Sequence, residues 1–145
     1  MDGDESLSEV FWSVARMLRH RDLETVEPFG ITLSQSRALG VLQRHGAMRL
    51  SDLAHHLRIA PRSATEVVDA LEQRHLLSRS PDPSDRRATL VEVTPDGESI
   101  SRAVRKARLA EGDELFTVLS ADQREVLAGL LQTVRAAADP RHPAP

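Results

Sequence analysis

The chain has 145 residues, 40% of them hydrophobic, with 19 Lys+Arg against 22 Asp+Glu and a formal net charge of −3. That length suits one domain with its own core, and an aromatic share of only 3% means that aliphatic side chains and alanine must fill it. The absence of cysteine excludes disulfides, thiolate metal sites and thiol-based redox sensing. No apolar run approaches the length of a membrane span, and the acidic start MDGDES is unlike a signal peptide, so a cytoplasmic protein with no membrane partner is expected.

The elements follow in chain order. Leu7, Val10, Phe11, Val14, Met17 and Leu18 recur at three-four spacing, which predicts an amphipathic first helix. Ser6 and Glu9 form a capping-box pattern at its start, and the Pro28/Gly30 region ends it. Thr32 and Gln35 repeat the pattern for a second helix, which runs through Leu39 and Leu42 and stops at Gly46. Leu50, Leu53, Ala54 and Leu57 predict a short third helix beginning near Ser51. A turn at Arg58-Ile59-Ala60 leads to Pro61, well placed at the first position of a fourth helix.

A hairpin comes next: a strand LLSRS, a loop PDPSDRR over residues 81–87 and a strand ATLVEVT. Prolines stiffen the loop and Asp82, Ser84 and Asp85 favour tight turning, so Arg86 and Arg87 are expected at the tip of a two-stranded wing. Thr94 caps and Pro95 starts a long fifth helix, with Ile100, Ala103, Val104 and Ala107 on one face. Ser120 and Gln123 form a third capping box, for a sixth helix striped by Leu127, Leu130, Leu131 and Val134. The proline-rich end is expected to be a disordered tail over 138–145. The fold class is mainly α (α+β), with six helices and a two-stranded β-wing.

Two helices joined by a three-residue turn over 51–75 are the signature of a helix-turn-helix. The fourth helix turns Ala64, Val67, Val68 and Leu71 inward, leaving Arg62, Ser63, Thr65, Glu66, Asp69 and Gln73 outward or at the edge. The first residues of such a helix reach base edges. Arg62 suits guanine, Thr65 a thymine methyl, and Ser63 a base or a phosphate, whereas Glu66 and Asp69 suit only a donor such as cytosine N4. Arg86 on a thin arm fits a narrow minor groove, where negative potential is strongest. The plainer alternative for the arginine pair is a solvated hairpin tip.

Charge supports this locally. Residues 49–87 carry seven Arg against six acids, while residues 1–48 carry five Arg against seven acids and residues 88–145 seven Lys+Arg against nine. Eighteen of the basic residues are Arg and Lys106 is the lone lysine, which genomic base composition explains without selection for guanidinium chemistry.

The stretch VVDALEQRHLLSRSPDPSDRRATLVEVTPDG, residues 67–97, resembles the multiple-antibiotic-resistance regulator (MarR) family of bacterial winged helix-turn-helix transcription factors. The six-helix order extends the resemblance to nearly the whole chain. It implies a homodimer on double-stranded, pseudo-palindromic operator DNA, acting as a repressor and released by a small aromatic or phenolic effector. It also implies one MarR-like domain over 1–137, with the winged helix at about 32–94 and dimerisation helices at about 6–26 and 95–137.

By position, the resemblance makes Pro61, Arg62, Ser63, Thr65 and Glu66 the reading end of the recognition helix and Arg86 the minor-groove residue. Arg87 and Asp85 then support the wing or phosphate contacts, and Ser34 and Ser51 become phosphate contacts near helix starts. The sequence departs from the family at Glu66, where arginine is common, and at His75, where glycine commonly closes the helix. A left-handed His75 should cost about 1 kcal/mol relative to glycine.

The dimer is also expected on physical grounds, because the apolar stripes of the first, fifth and sixth helices exceed what one small domain covers. Phe11, Val14, Val118, Leu119, Leu127, Leu130, Leu131 and Val134 are the candidate interface, with an intramolecular core as the alternative. In this family ligands sit between the dimerisation helices and the reading head. Trp12, Arg16 and His20, at four-residue spacing, are the candidate ligand residues: Arg16 would anchor a carboxylate or phenolate and Trp12 would stack on a ring. The plainer reading is a Trp that covers the dimer seam.

No metal or cofactor is expected. His55 and His56 are adjacent and point about 100° apart on a helix, and His20, His45, His75 and His142 are scattered. Catalytic signatures such as GxSxG, a phosphate-cradling glycine loop or a dinucleotide fingerprint do not occur, so an enzyme is not expected. The remaining alternative is a winged helix that contacts only protein.

Overall fold

The computed structural model describes residues 5–138. Helix α1 spans Leu7–Val26, and its capping box forms as the spacing predicts: the Ser6 amide donates to Glu9 Oε2 at 2.7 Å and the Glu9 amide to Ser6 Oγ at 3.3 Å. A 3-10 turn over Glu27–Phe29 ends at left-handed Gly30. Helix α2, Leu33–His45, opens on the Thr32/Gln35 box. Helix α3 covers Leu50–Leu57 and α4 covers Pro61–Gln73.

Between α2 and α3 lies a strand that the sequence reading lacked, β1 at Met48–Arg49. It pairs antiparallel with β3 (Asp85–Val93), whose other edge carries β2 (Leu77–Asp82), giving the order β1-β3-β2. The wing is therefore three-stranded at its base, not two-stranded. Two residues are too few to show an alternating pattern, so β1 had no signature to find. Helix α3 accordingly starts at Leu50 behind Arg49, and Ser51 sits inside its first turn.

Both helices of the helix-turn-helix end in left-handed residues that are not glycine. Arg58 (φ 54°) closes α3, with its own amide donating to His55 O and the Ile59 amide to Ala54 O. His75 (φ 58°) closes α4 as anticipated: its amide donates to Glu72 O and the Leu76 amide to Leu71 O. The nested pair of bonds is the Schellman arrangement, which satisfies the last carbonyls of each helix.

Helix α5, Pro95–Leu115, is capped by Thr94, whose hydroxyl accepts from the Gly97 amide at 3.1 Å. A 3-10 turn at Phe116–Val118 leads to α6, Ala121–Ala138, whose Ser120/Gln123 box also forms. Helix α6 thus takes in the first residue of the stretch assigned to the tail. The rest of that tail, 139–145 with His142, lies outside the described residues.

The core is aliphatic, as the scarcity of aromatics requires. Leu39 and Leu42 of α2, Leu53 and Leu57 of α3, Val68 and Leu71 of α4, Leu77 and Val91 of the sheet and Val104 of α5 are all fully buried. Each such side chain contributes about 1.5–3 kcal/mol relative to exposure. Helix α1 sends only Val26 into this core, and α6 sends nothing. Helices α1 and α5 pack along each other, tied by the Arg108 guanidinium donating to both Asp22 oxygens at 2.8 and 2.6 Å.

Candidate nucleic-acid interface

Helix α4 is held by one face and free on the other. Ala64, Val68 and Leu71 are buried with Val67 half-buried, so Pro61, Arg62, Ser63 and Glu66 project outward. The Arg62 side chain is 93% exposed and lies 3.6 Å from Glu66 Oε1, one turn on. Such an exposed pair contributes little to stability, which leaves both groups available to a partner. Thr65 is half-buried and its hydroxyl donates to Pro61 O at 3.1 Å.

The two other acids of α4 are occupied. Arg79 of β2 donates to Asp69 Oδ1 at 2.5 Å and also bonds Glu72. Asp69 first, then Glu72, raises the pKa of Arg79, whose side chain is only 30% exposed. Asp69 is therefore bound within the fold rather than left as a free acceptor for a base. Arg79 offsets one of these two negative charges, so α4 approaches a polyanion with Arg62 at its exposed start and Glu66 one turn behind it.

The wing differs from expectation at its tip. The sequence placed Arg86 and Arg87 in the turn, but Asp82 pairs with Asp85 and only Pro83 and Ser84 remain between the strands. Arg86 and Arg87 therefore stand on β3, both exposed, beside the turn. Asp85 supports them through its Oδ1, which accepts the Arg87 amide at 3.0 Å.

Asp82 does the heavier structural work. It is buried to 8% exposure and accepts from the Ser84 amide (2.9 Å), the Ser84 hydroxyl (2.7 Å) and Arg49 Nε (2.9 Å) and Nη2 (2.8 Å). The Ser84 bonds, and then Arg49, hold its carboxyl below the usual carboxylate range. Arg49 is the residue before α3, so this contact fastens the wing turn to the start of the helix-turn-helix across 33 residues of sequence. Sequence reasoning placed Asp82 in the turn but missed Arg49 as its partner, because nothing local marks a pair that far apart.

The remaining candidates lie elsewhere. Ser34 and Ser51 are exposed in the first turns of α2 and α3. On α1, Arg16 and His20 line a shallow groove with Ser13, Met17, Arg21 and Glu24. Trp12 lies outside that groove, 62% exposed and edge-on to Phe11 at 6.2 Å, and His20 sits 3.5 Å from Glu24. His45 and His56, scattered in sequence, stack at 4.7 Å. Among the described residues no group of three His, Asp or Glu is placed to hold a metal.

The MarR family model matches residues 31–89, from the start of α2 to the middle of β3. An HTH-type transcriptional regulator of Mycobacterium leprae is 35% identical over 121 residues, which cover 83% of this chain and 82% of the relative. The chain belongs to the MarR family. MarR itself from E. coli, in its apo form, superposes with a TM-score of 0.85 over 92% of this chain and 98% of that one, at 24% identity. A point mutant of MepR from S. aureus, bound to an oligodeoxyribonucleotide, gives a TM-score of 0.69 over 94% and 100% at 20% identity. The protein is thus a winged helix-turn-helix transcriptional regulator of the MarR family, whose members are regulators rather than enzymes.

Proposed function

We propose that this MarR-family protein acts as a homodimeric repressor on pseudo-palindromic operator DNA and that a small aromatic or phenolic ligand releases it. The carrying observation is the exposed start of α4 together with the exposed Arg86 and Arg87 of β3, with Asp69 and Glu72 both bonded to Arg79. In this reading α4 enters the major groove with Arg62, Ser63 and the Thr65 methyl leading, and Arg86 enters the adjacent minor groove. Ser34, Ser51 and Arg87 hold phosphates, and Asp85 fixes the strand from which Arg86 projects. MepR bound to an oligodeoxyribonucleotide supports the DNA role by analogy of fold.

The reading head is then 32–94, and 6–26 with 95–137 form the dimerisation helices. Support comes from α6, whose residues are all exposed or half-buried, and from exposed Phe11, Val118, Leu130, Leu131 and Val134 beside half-buried Val14, Leu119 and Leu127. An open apolar groove of about 400 Å³ along α6, lined by Leu119, Val126, Leu127 and Leu130 among others, offers a seat for the partner. A repressor fits this geometry because a dimer seated on a promoter denies it to polymerase, and operation in the bacterial cytoplasm follows from that role.

Titration of operator duplex against salt tests the reading. Affinity should fall as salt rises, with a log–log slope of about −0.9 per phosphate neutralised. A protein-contact module would bind no duplex even at low salt, and that result would overturn the proposal. For the effector, aromatic acids should weaken operator binding in the wild type, and an unchanged response in Arg16→Ala would remove Arg16 as the anchor.

A further inference from the structure

Helix α4 carries an acid on the face that the reading above turns toward DNA, and its surroundings decide what that acid can do there. The carboxylates of Asp69 and Glu72 both take hydrogen bonds from Arg79 of β2. Glu66 instead pairs within its own helix, its Oε1 3.6 Å from Arg62 Nε, and its side chain stays 70% exposed.

A carboxylate held against a duplex is repelled by the phosphates, which costs affinity for every sequence. It recovers that cost only where a base edge offers it a donor. In the major groove guanine presents two acceptors, and thymine an acceptor beside a methyl group. Adenine offers its N6 amine but sets the N7 acceptor next to it, whereas cytosine offers its N4 amine and no acceptor of its own. Cytosine is the base that Glu66 fits.

Arg62 fixes where that cytosine stands. Contact with Glu66 through Nε leaves both Nη groups free to meet O6 and N7 of a guanine. Residues four apart on a helix are separated by about 6 Å along its axis, less than two base steps of about 3.4 Å. The cytosine therefore belongs to the base pair that Arg62 contacts or to the pair stacked on it.

We infer that Glu66 is a specificity-determining residue that selects, through the N4 amine, a cytosine within one base step of the guanine taken by Arg62. That role rests on the DNA reading proposed above. It gives the carboxylate a function in selection rather than in affinity, since Glu66 weakens contact with every duplex and weakens it least where the cytosine stands.

Selection by the full chain from a pool of duplexes with a randomised segment, followed by sequencing, provides the test. Wild type should enrich a half-site that holds such a cytosine beside a guanine. Glu66→Gln, whose amide pairs with adenine N6 and N7, should shift that position from cytosine toward adenine by about tenfold. Glu66→Ala should lose the preference there and bind a scrambled duplex more tightly than wild type, with an unchanged Tm and unchanged preferences elsewhere in the half-site. Arg86→Ala should bind more weakly yet keep the cytosine. A cytosine preference that survives in both Glu66 variants overturns the inference, as does a wild-type half-site without that cytosine. So does a change in affinity that is equal for all sequences, which would make Glu66 a source of repulsion and nothing more. If wild type enriches no duplex even at low salt, the DNA-reading proposal itself fails and takes this role with it.

Discussion

Arg86 issues from a strand rather than from a flexible tip, and this changes what it can do. The Asp82–Asp85 pair on one side and the Pro81–Thr89 pair on the other hold its stretch of β3 at both ends, so less chain entropy is lost on docking than a free loop would lose. Replacement by alanine removes only an exposed side chain, and Arg86→Ala should weaken operator binding by about 1–3 kcal/mol with an unchanged unfolding curve. Fluorescence anisotropy on labelled duplex measures the first and circular dichroism the second; wild-type affinity would remove Arg86 from the interface. His75 gives a prediction of the opposite sign. It holds a left-handed backbone that glycine adopts without penalty, so His75→Gly should raise the unfolding free energy by about 0.5–1 kcal/mol in urea titrations. The strain was legible through the family resemblance, which puts a helix-closing glycine where this chain has His75. The Arg49–Asp82 contact was not, because it depends on how two distant turns meet in space.

At the level of elements, the sequence carried most where local chemistry decides the outcome. Three capping boxes, two prolines at helix starts and the aliphatic stripes each located a helix, because a cap needs only its own four residues. It carried least in the wing. There Arg86 and Arg87 read as loop residues because Asp, Pro and Ser surround them, yet they lie within β3, in the bulge between the Asp82–Asp85 and Pro81–Thr89 pairs. Gly97, in the first turn of α5, shows how tertiary contact can reverse a local preference. Alanine is the better helix former by about 0.8–1 kcal/mol, so propensity alone predicts that Gly97→Ala stabilises. A Cβ at that position, however, would overlap the Leu76 carbonyl oxygen, which already accepts the Thr94 amide where β3 turns into α5. Gly97→Ala should therefore destabilise by about 1–3 kcal/mol, as overpacking does. A lowered denaturation midpoint with unchanged m-value checks this, and a raised one would mean that the β3–α5 junction relaxes freely.

Over the whole molecule the apolar surface is divided unevenly, and the division bears on how the protein reads DNA. The winged-helix core satisfies itself, while α6 is an 18-residue helix with no buried residue. Its Leu130 is 61% exposed and its Val134 67%, and α1 leaves Phe11 half exposed beside Trp12. A chain of this size leaves such a continuous surface uncovered only at a cost in solubility, whereas a second copy brings the same stripes and covers both by symmetry. In the proposed dimer, the axis that buries α6 would also set two α4 helices apart at a fixed spacing, so dimerisation and operator choice would be one property. Leu130→Asp tests them together. A carboxylate at the centre of the groove lined by Leu119, Val126 and Leu127 would be buried without a partner, which a dimer cannot tolerate. Sedimentation at a concentration where the wild type is dimeric should show monomers or aggregates for Leu130→Asp. Since α6 contributes nothing to the core, the monomer should keep its helical circular dichroism. It should also lose operator affinity far beyond what one distant side chain contributes, because each half-site must then be bound alone. A variant that stays dimeric, or a monomer that binds the full operator as tightly as wild type, would separate the two functions that the fold joins.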